Sequence, residues 1–340
     1  MKNILKILLA FILLLAVDAF AGGGKRTGTG GASELLIPVG PRGIAMAEAN
    51  ISTSTGIEAL FWNPAGVALM QNNADVIFSH MSYIADIGVD YGAIAANFEG
   101  FGVVSFSIKT LAVGDILITT TSNPDGTGET FSPTFIIAGL SYSRQLTESI
   151  SVGLTTNFIS ERMADVSASG VAFDVGVMYK NLADINGLSL GVVIKNLGPE
   201  MKYSGGGLFQ RGQIDDVNRG PTFYTIDAAA FELPSNFQLG LGYTPVLDEI
   251  NSLQFSGIYQ NNNFSGDEYK IGAEYGYNEM FFVRAGYQLA PQVSEDYLYG
   301  FSAGVGIDYE VEGFGFKVDY AFREVEFFDA NHIFAVTLGF

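Results

Sequence analysis

The sequence predicts an all-β protein, a transmembrane antiparallel β-barrel of about fourteen strands with a small N-terminal segment outside the wall. Three observations predict it. Apolar and polar residues alternate with period two through most of the chain from residue 74 onward. Mean hydropathy is positive at +0.26, yet beyond the first segment no apolar run approaches the roughly 18 residues of a transmembrane helix. The chain also ends in HIFAVTLGF, with Phe334, Val336, Leu338 and Phe340 on one face up to the last residue.

The first segment has its own logic. Lys2 and Lys6 precede the unbroken apolar run Ile7 to Val17, and Ala19-Phe20-Ala21 offers small residues to a signal peptidase. Residues 1–21 are therefore expected to be a signal peptide for export, because so short an apolar run does not span a bilayer comfortably. Residues 22–73 show no sustained alternation and are expected to form a periplasmic or hatch segment. Within EALFWNPAGVALM, Asn63 suits a helix cap and Pro64 the first helical position, where its missing N–H costs nothing. Trp62, Asn63, Pro64, Ala65 and Gly66 form the motif of this segment. On physical grounds alone it reads as a capped turn.

Residues 74–340 carry the wall. In FSAGVGIDYEV, Phe301, Ala303, Val305, Ile307, Tyr309 and Val311 share a face opposite Ser302, Gly304, Gly306, Asp308 and Glu310. The stretches from Val171, Phe237, Tyr269 and Phe314 repeat the scheme. Candidate strands run over 75–86, 90–99, 101–116, 130–146, 150–167, 169–181, 187–203, 223–245, 250–263, 266–278, 280–290, 298–311, 313–326 and 330–340. A soluble sandwich gives the same alternation, but its turns recur every 8 to 12 residues or so, whereas many of these segments are long enough to cross a bilayer at a tilt. An open edge in hydrocarbon leaves backbone groups unpaired at several kcal/mol each, so the sheet must close.

Connection lengths agree with this reading. The longer polar connections, 117–129, 204–222 and 290–297, are all odd-numbered and are expected outside, with short even-numbered turns in the periplasm. Pro234 sits inside the overlong eighth candidate. It cannot donate to a ladder and marks a bend or bulge there.

Composition excludes several functions. A net charge of −19 argues against nucleic acid, whose binders need cations along the phosphates. With no cysteine and two histidines, thiol chemistry and a tetrahedral zinc site have little to work with. Asp215-Asp216 is expected to be solvated, and Gly28 to Gly31 lacks the GK[ST] of a phosphate loop. Gly187-Leu188-Ser189-Leu190-Gly191 matches GxSxG but opens a strand instead of a strand-to-helix turn, and His80 and His332, the only imidazoles, also fall in strands. No enzymatic activity, metal or cofactor is expected.

The order GTGGASELLIPVGPRGIAMAEANIS, ALFWNPAGVALM and SYIADIGVDYGAIA resembles the PorV/PorQ family of outer-membrane proteins, relatives of the FadL-type transporters. The resemblance is strongest over Gly28 to Ile94, with Asn63 to Gly66 its best marker. It implies a FadL-like fourteen-stranded barrel of the bacterial outer membrane with an N-terminal segment in or beneath the lumen. It also implies a role as an interaction or shuttle component of type IX secretion, with a translocon and secreted cargo domains as partners. The other partners expected are outer-membrane lipid and the barrel-assembly machinery, for which Phe334, Val336, Leu338 and Phe340 look like the C-terminal assembly signal.

Two functions remain open at this point: an interaction protein with an occluded lumen, and a transporter of hydrophobic small molecules with a movable hatch. The lumen separates them. Asp174, Lys180, Lys270, Glu274, Arg284, Asp308, Lys317, Asp319 and Arg323 are expected to point inward, since a cation at the bilayer midplane costs roughly 2–4 kcal/mol. Such a lining favours the interaction protein, although an apolar pocket near Phe61 and Trp62 would still suit a lipid.

Overall fold

The computed structural model describes residues 30–212, 220–295, 297–311 and 313–340. The expected signal peptide, Gly28, Asp215 and Asp216 lie outside them. Fourteen long strands form one closed antiparallel sheet, as the alternation predicts. They are β1 (Ala74–Ser82), β2 (Gly88–Phe98), β3 (Gly102–Ala112), β4 (Thr134–Gln145), β5 (Ile150–Met163), β6 (Val166–Lys180) and β7 (Leu188–Leu197). The second half comprises β8 (Asn236–Tyr243), β9 (Asn251–Asn262), β10 (Glu268–Tyr277), β11 (Phe281–Leu289), β12 (Tyr299–Val311), β13 (Phe314–Val325) and β14 (Asn331–Gly339). Each strand pairs with its sequence neighbours, and β14 pairs with β1 from Gly339↔Asp75 to His332↔Ser82.

The two faces follow the sequence pattern. Phe78, Phe158, Phe173, Ile271, Val283, Ile307 and Phe334 are exposed on the outside, where the solvent is hydrocarbon. Asp174, Lys270, Glu274, Arg284, Asp319 and Arg323 are buried on the inside. Lys180, Asp308 and Lys317 share that inner face with less cover. His80 and His332 point outward, beside Asp90 and Tyr320 respectively.

Several candidate strands have different limits. The third stops at Ala112, and Ile116–Leu117 pairs instead with Thr130–Phe131 in a loop ribbon. The turn between the fifth and sixth falls earlier, at Ala164, whose φ of 48° permits a tight reversal. The seventh stops at Leu197, and the eighth begins only at Asn236. Between them Met201–Lys202 pairs with Ala230–Phe231 and Phe209–Gly212 pairs with Thr222–Thr225. Alternation in 223–231 belongs to these ribbons, and Pro234 stands just before β8, its carbonyl accepting from the Asn196 side chain at 3.0 Å.

Inside the barrel, residues 32–70 fold into short turns and two small helices, α1 (Pro41–Ala45) and α2 (Ala59–Trp62). Ile44, Ala45, Ile51, Ala59 and Val67 are fully or almost fully buried, in one apolar cluster with the wall residues Ile77, Val193, Ile258 and Ile333. The wall's inner face is largely polar or small, so the lumenal segment supplies a large share of the apolar residues packed inside the barrel.

The C-terminus completes the closure. The Phe340 amide donates to the Ala74 carbonyl at 2.8 Å, and its carbonyl accepts from Asn73 and Ala74 at 2.9 and 3.1 Å. Its ring faces outward and packs on Phe314 with centroids 5.4 Å apart. Phe334 and Val336 are exposed on the same side, while Ile333 and Ala335 join the inner cluster. Phe340→Ala, or one charged residue appended after Phe340, is expected to lower the yield of closed barrel, read as the heat-modifiable band of outer-membrane fractions. Undiminished yield for both variants would show that the last residue is dispensable for closure.

Candidate functional site in the barrel lumen

The motif over 62–66 is the point where the lumenal segment locks to the wall. Asn63 is fully buried; its Oδ1 accepts from the Ala65 amide at 3.1 Å, the cap expected from sequence. Its amide nitrogen donates to the carbonyls of Ile51 at 2.7 Å and of Val177, on β6, at 3.3 Å. Ser143 on β4 donates to the Pro64 carbonyl at 2.7 Å. The close approach requires bare backbone in the wall: a Cβ at Gly176 would lie 2.1 Å from Asn63 Oδ1, and one at Gly153 2.3 Å from Pro64. Trp62 packs over Gly43 and stands perpendicular to Phe61, with ring centroids 5.0 Å apart.

Charge holds the other side. Arg42 forms a bidentate pair with Glu274 on β10, both bonds 2.8 Å, and reaches Glu58 at 3.1 Å. Glu274 also meets Arg284, which pairs with Asp319, each at 2.5 Å. Glu58 accepts from Lys317 at 3.1 Å. Burial pushes the Glu58 carboxyl up, but Lys317 and Arg42 overcome it and hold the group at about 2.

A second group centres on Glu48, which accepts from Lys270 at 2.6 Å and Arg323 at 3.0 Å. Ala47 and Glu48 have φ of 51° and 65°, a left-handed pair costing roughly 1–3 kcal/mol per residue and sustained by what surrounds it. The Ala47 amide is held by Ser302 at 3.0 Å, and Glu48 by its two cations. Lys109 and Lys195 act differently: they donate to the carbonyls of Ile37 and Phe61 at 2.9 and 2.8 Å and lie 4.9 and 3.6 Å from the centre of the Phe61 ring.

Near the start of the described segment, Glu34 is buried beside Glu161 of β5, which accepts from the Tyr203 hydroxyl. Burial, reinforced by Glu161, pushes Glu34 up to about 7. Each carboxyl keeps one buried oxygen without a partner.

These contacts divide the lumen. At the end of the long connections lies a chamber of about 270 Å³, and at the other end a polar cavity of about 240 Å³ bordered by Glu58, Asp75, Asp308 and Lys317. Between them the spaces beside Phe61 and Trp62 hold only about 10 and 30 Å³. Both rings also border the outer chamber, where Lys195, Asn236, Gln238 and Gln288 stand beside them, so the space there is a mixed polar one and not the apolar lipid pocket considered from sequence. Ser189, in the GxSxG match, lies on β7 with its hydroxyl directed to the Gly242 carbonyl at 3.4 Å, on the opposite face of the wall from His80 and His332. Sequence reasoning found the inward charges and Asn63, but missed Arg42, Glu48 and Glu58. Their signal was that, with Glu34, they are the only four charged residues in the sequence over 32–70.

A family model described as "Type IX secretion system protein PorV" matches residues 21–260. The chain belongs to the PorV family. This PorV-family barrel resembles in fold the CymD monoaromatic hydrocarbon channel, at 14% identity and TM-score 0.53 over 89% of this chain and 97% of that one. It is similarly close to the Ralstonia pickettii toluene transporter TbuX, at 12% identity and TM-score 0.55 over 88% and 98%. A Pseudomonas aeruginosa FadL homologue matches at 12% identity and TM-score 0.50 over 89% and 98%. No curated protein matches the chain. Family and fold place the PorV-family barrel in the outer membrane.

The titration of Glu34 gives a direct check. Its folded pKa lies above the ordinary 4.5, so the folded protein holds this proton more tightly than the unfolded chain. The stabilisation is complete below about pH 4.5, declines as pH rises and is gone above about 7. Amide exchange of Leu35 and Ile37 is expected to show greater protection at pH 5 than at pH 8, after correction for intrinsic rates. Glu34→Gln removes the difference. Glu48→Gln is expected to destabilise the docked segment by about 3 kcal/mol, since it leaves buried cations underpaired; chemical unfolding of the refolded barrel measures it.

Proposed function

We propose that this PorV-family barrel is a non-enzymatic interaction or shuttle component of type IX secretion, exported through its signal peptide over 1–21. Residues 22–73 act as its hatch. The observation that carries this reading is the filled lumen: between the two end chambers, among the described residues, the spaces beside Phe61 and Trp62 measure about 10 and 30 Å³. A continuous apolar path for a hydrophobic solute has no room there, and the paired charges on either side oppose one. Cargo domains and a translocon are then met at the outer loops and the outer wall. The wall offers a concavity of about 540 Å³ around Ala273 and Ala285, framed by Phe255, Ile271, Tyr287 and Phe301. Small residues flanked by rings let another apolar surface approach closely.

The second reading, transport of small hydrophobic molecules, is favoured by the fold shared with proteins described as a hydrocarbon channel and a toluene transporter. It requires the hatch to move. Deletion of residues 34–70 is expected to leave a folded barrel that conducts in planar bilayers, where the full chain does not. Unchanged conductance would refute the hatch. Loss of the gene is expected to retain secreted proteins in the periplasm with uptake of hydrophobic solutes unaffected; normal secretion with impaired uptake would establish the transporter instead.

A further inference from the structure

The chamber at the long-connection end is a built polar site. One side is a panel of inward-facing carboxamides spread over neighbouring strands. Asn236 on β8 pairs in register with Lys195 on β7 and Asn262 on β9, Gln238 pairs with Gln260, and Gln288 on β11 pairs with Lys270 on β10. All of these line the chamber. The facing side carries Phe61, Trp62, Tyr297 and Tyr299.

Part of the panel is committed to internal bonds. Gln238 donates to Asn236 at 3.0 Å, Gln260 donates to Asn262 at 2.8 Å and accepts from Lys270 at 2.9 Å, and Asn262 donates to Gly266 and Glu268. What remains is a mixed set. The Asn236 amide nitrogen and the hydrogens of Lys195 not used on Phe61 remain as donors, and Gln238 Oε1 and Gln288 Oε1 remain as acceptors. Gln288 lines the chamber while only 2% exposed, and its Oε1 is buried without a partner.

We propose that this chamber binds a saccharide unit presented from outside the cell. The unspent groups select the chemistry. A carboxylate only accepts, so it would leave the two glutamine oxygens unmet, and a peptide strand offers its donors and acceptors along an edge for which the closed sheet has no free partner. A sugar hydroxyl both donates and accepts, so adjacent hydroxyls bridge Lys195 or Asn236 to Gln238 or Gln288. The apolar C–H face of the ring rests on the aromatic side chains. The plug closes the floor of the chamber, which suits a terminal or single unit of a glycan better than a chain passing through. Nothing in this proposal depends on the secretion role.

The test uses the full-length mature protein in detergent, screened by saturation-transfer NMR against a panel of mono- and oligosaccharides. Vesicles carrying complete or sugar-truncated lipopolysaccharide form a second arm. Binding to free oligosaccharides, or to complete but not truncated lipopolysaccharide, is the expected result and tells soluble from lipid-anchored sources. Gln288→Leu and Asn236→Leu, each shown to be folded by heat-modifiable mobility, should each weaken binding roughly five- to tenfold, the effect of one lost hydrogen bond. Leu154→Phe on the outer wall should leave it unchanged. Absence of binding in both arms would mean that the chamber holds only water, and binding indifferent to both substitutions would place the sugar elsewhere. Tighter binding of an amidated peptide than of any saccharide would also overturn the proposal.

Discussion

Three charged side chains of the lumenal segment, Arg42, Glu48 and Glu58, are paired with inward-facing wall charges. Glu274, Lys270, Arg323 and Lys317 cannot face hydrocarbon, and without the plug they would border open water in a wide pore. The plug brings the complementary charge and excludes the water at once. Burial strengthens each pair and makes each expensive to break on one side only, so the segment has a single docked arrangement. The left-handed backbone at Ala47 and Glu48 is sustained by this pairing.

Backbone contact supports the ionic contact. The wall's small inner residues, which in sequence are equally compatible with a wet or a crowded lumen, are crowded. Gly153 and Gly176 admit Asn63 and Pro64, and Gly286 admits the backbone of Met46 and Ala47. Side chains at these positions would separate plug from wall by more than a hydrogen bond can span, so the polar face and its glycines belong to one design: charges on β10, β11 and β13, and bare backbone on β5, β6 and β11. The chambers at the two ends are what this packing leaves over, and only the outer one presents unspent hydrogen-bonding groups beside aromatic rings.

Much of this was legible in the sequence. Strand count, inward charges, the Asn63 cap and the closing strand at Phe340 all follow from local rules, because a two-residue period and a capping side chain act within a few residues. Strand limits near 198–235 were not legible, since surface ribbons such as Phe209–Gly212 with Thr222–Thr225 alternate as a barrel strand does. Nor were the partners of Arg42 and Glu48, which lie 232 residues from Glu274 and 222 from Lys270 in the chain. The amide panel was visible only as scattered Asn and Gln on inner faces; register brings Asn236, Gln238, Gln260 and Gln288 to one chamber.

The central claim is that the docked segment seals the lumen between two chambers. The chain has no cysteine, so single cysteines report access without background. Ser265 lines the outer chamber and Thr55 the cavity at the opposite end. With a membrane-impermeant maleimide applied to intact cells, Ser265→Cys is predicted to react and Thr55→Cys to stay unlabelled until the outer membrane is permeabilised. Comparable labelling of both in intact cells would contradict the seal and the account built on it.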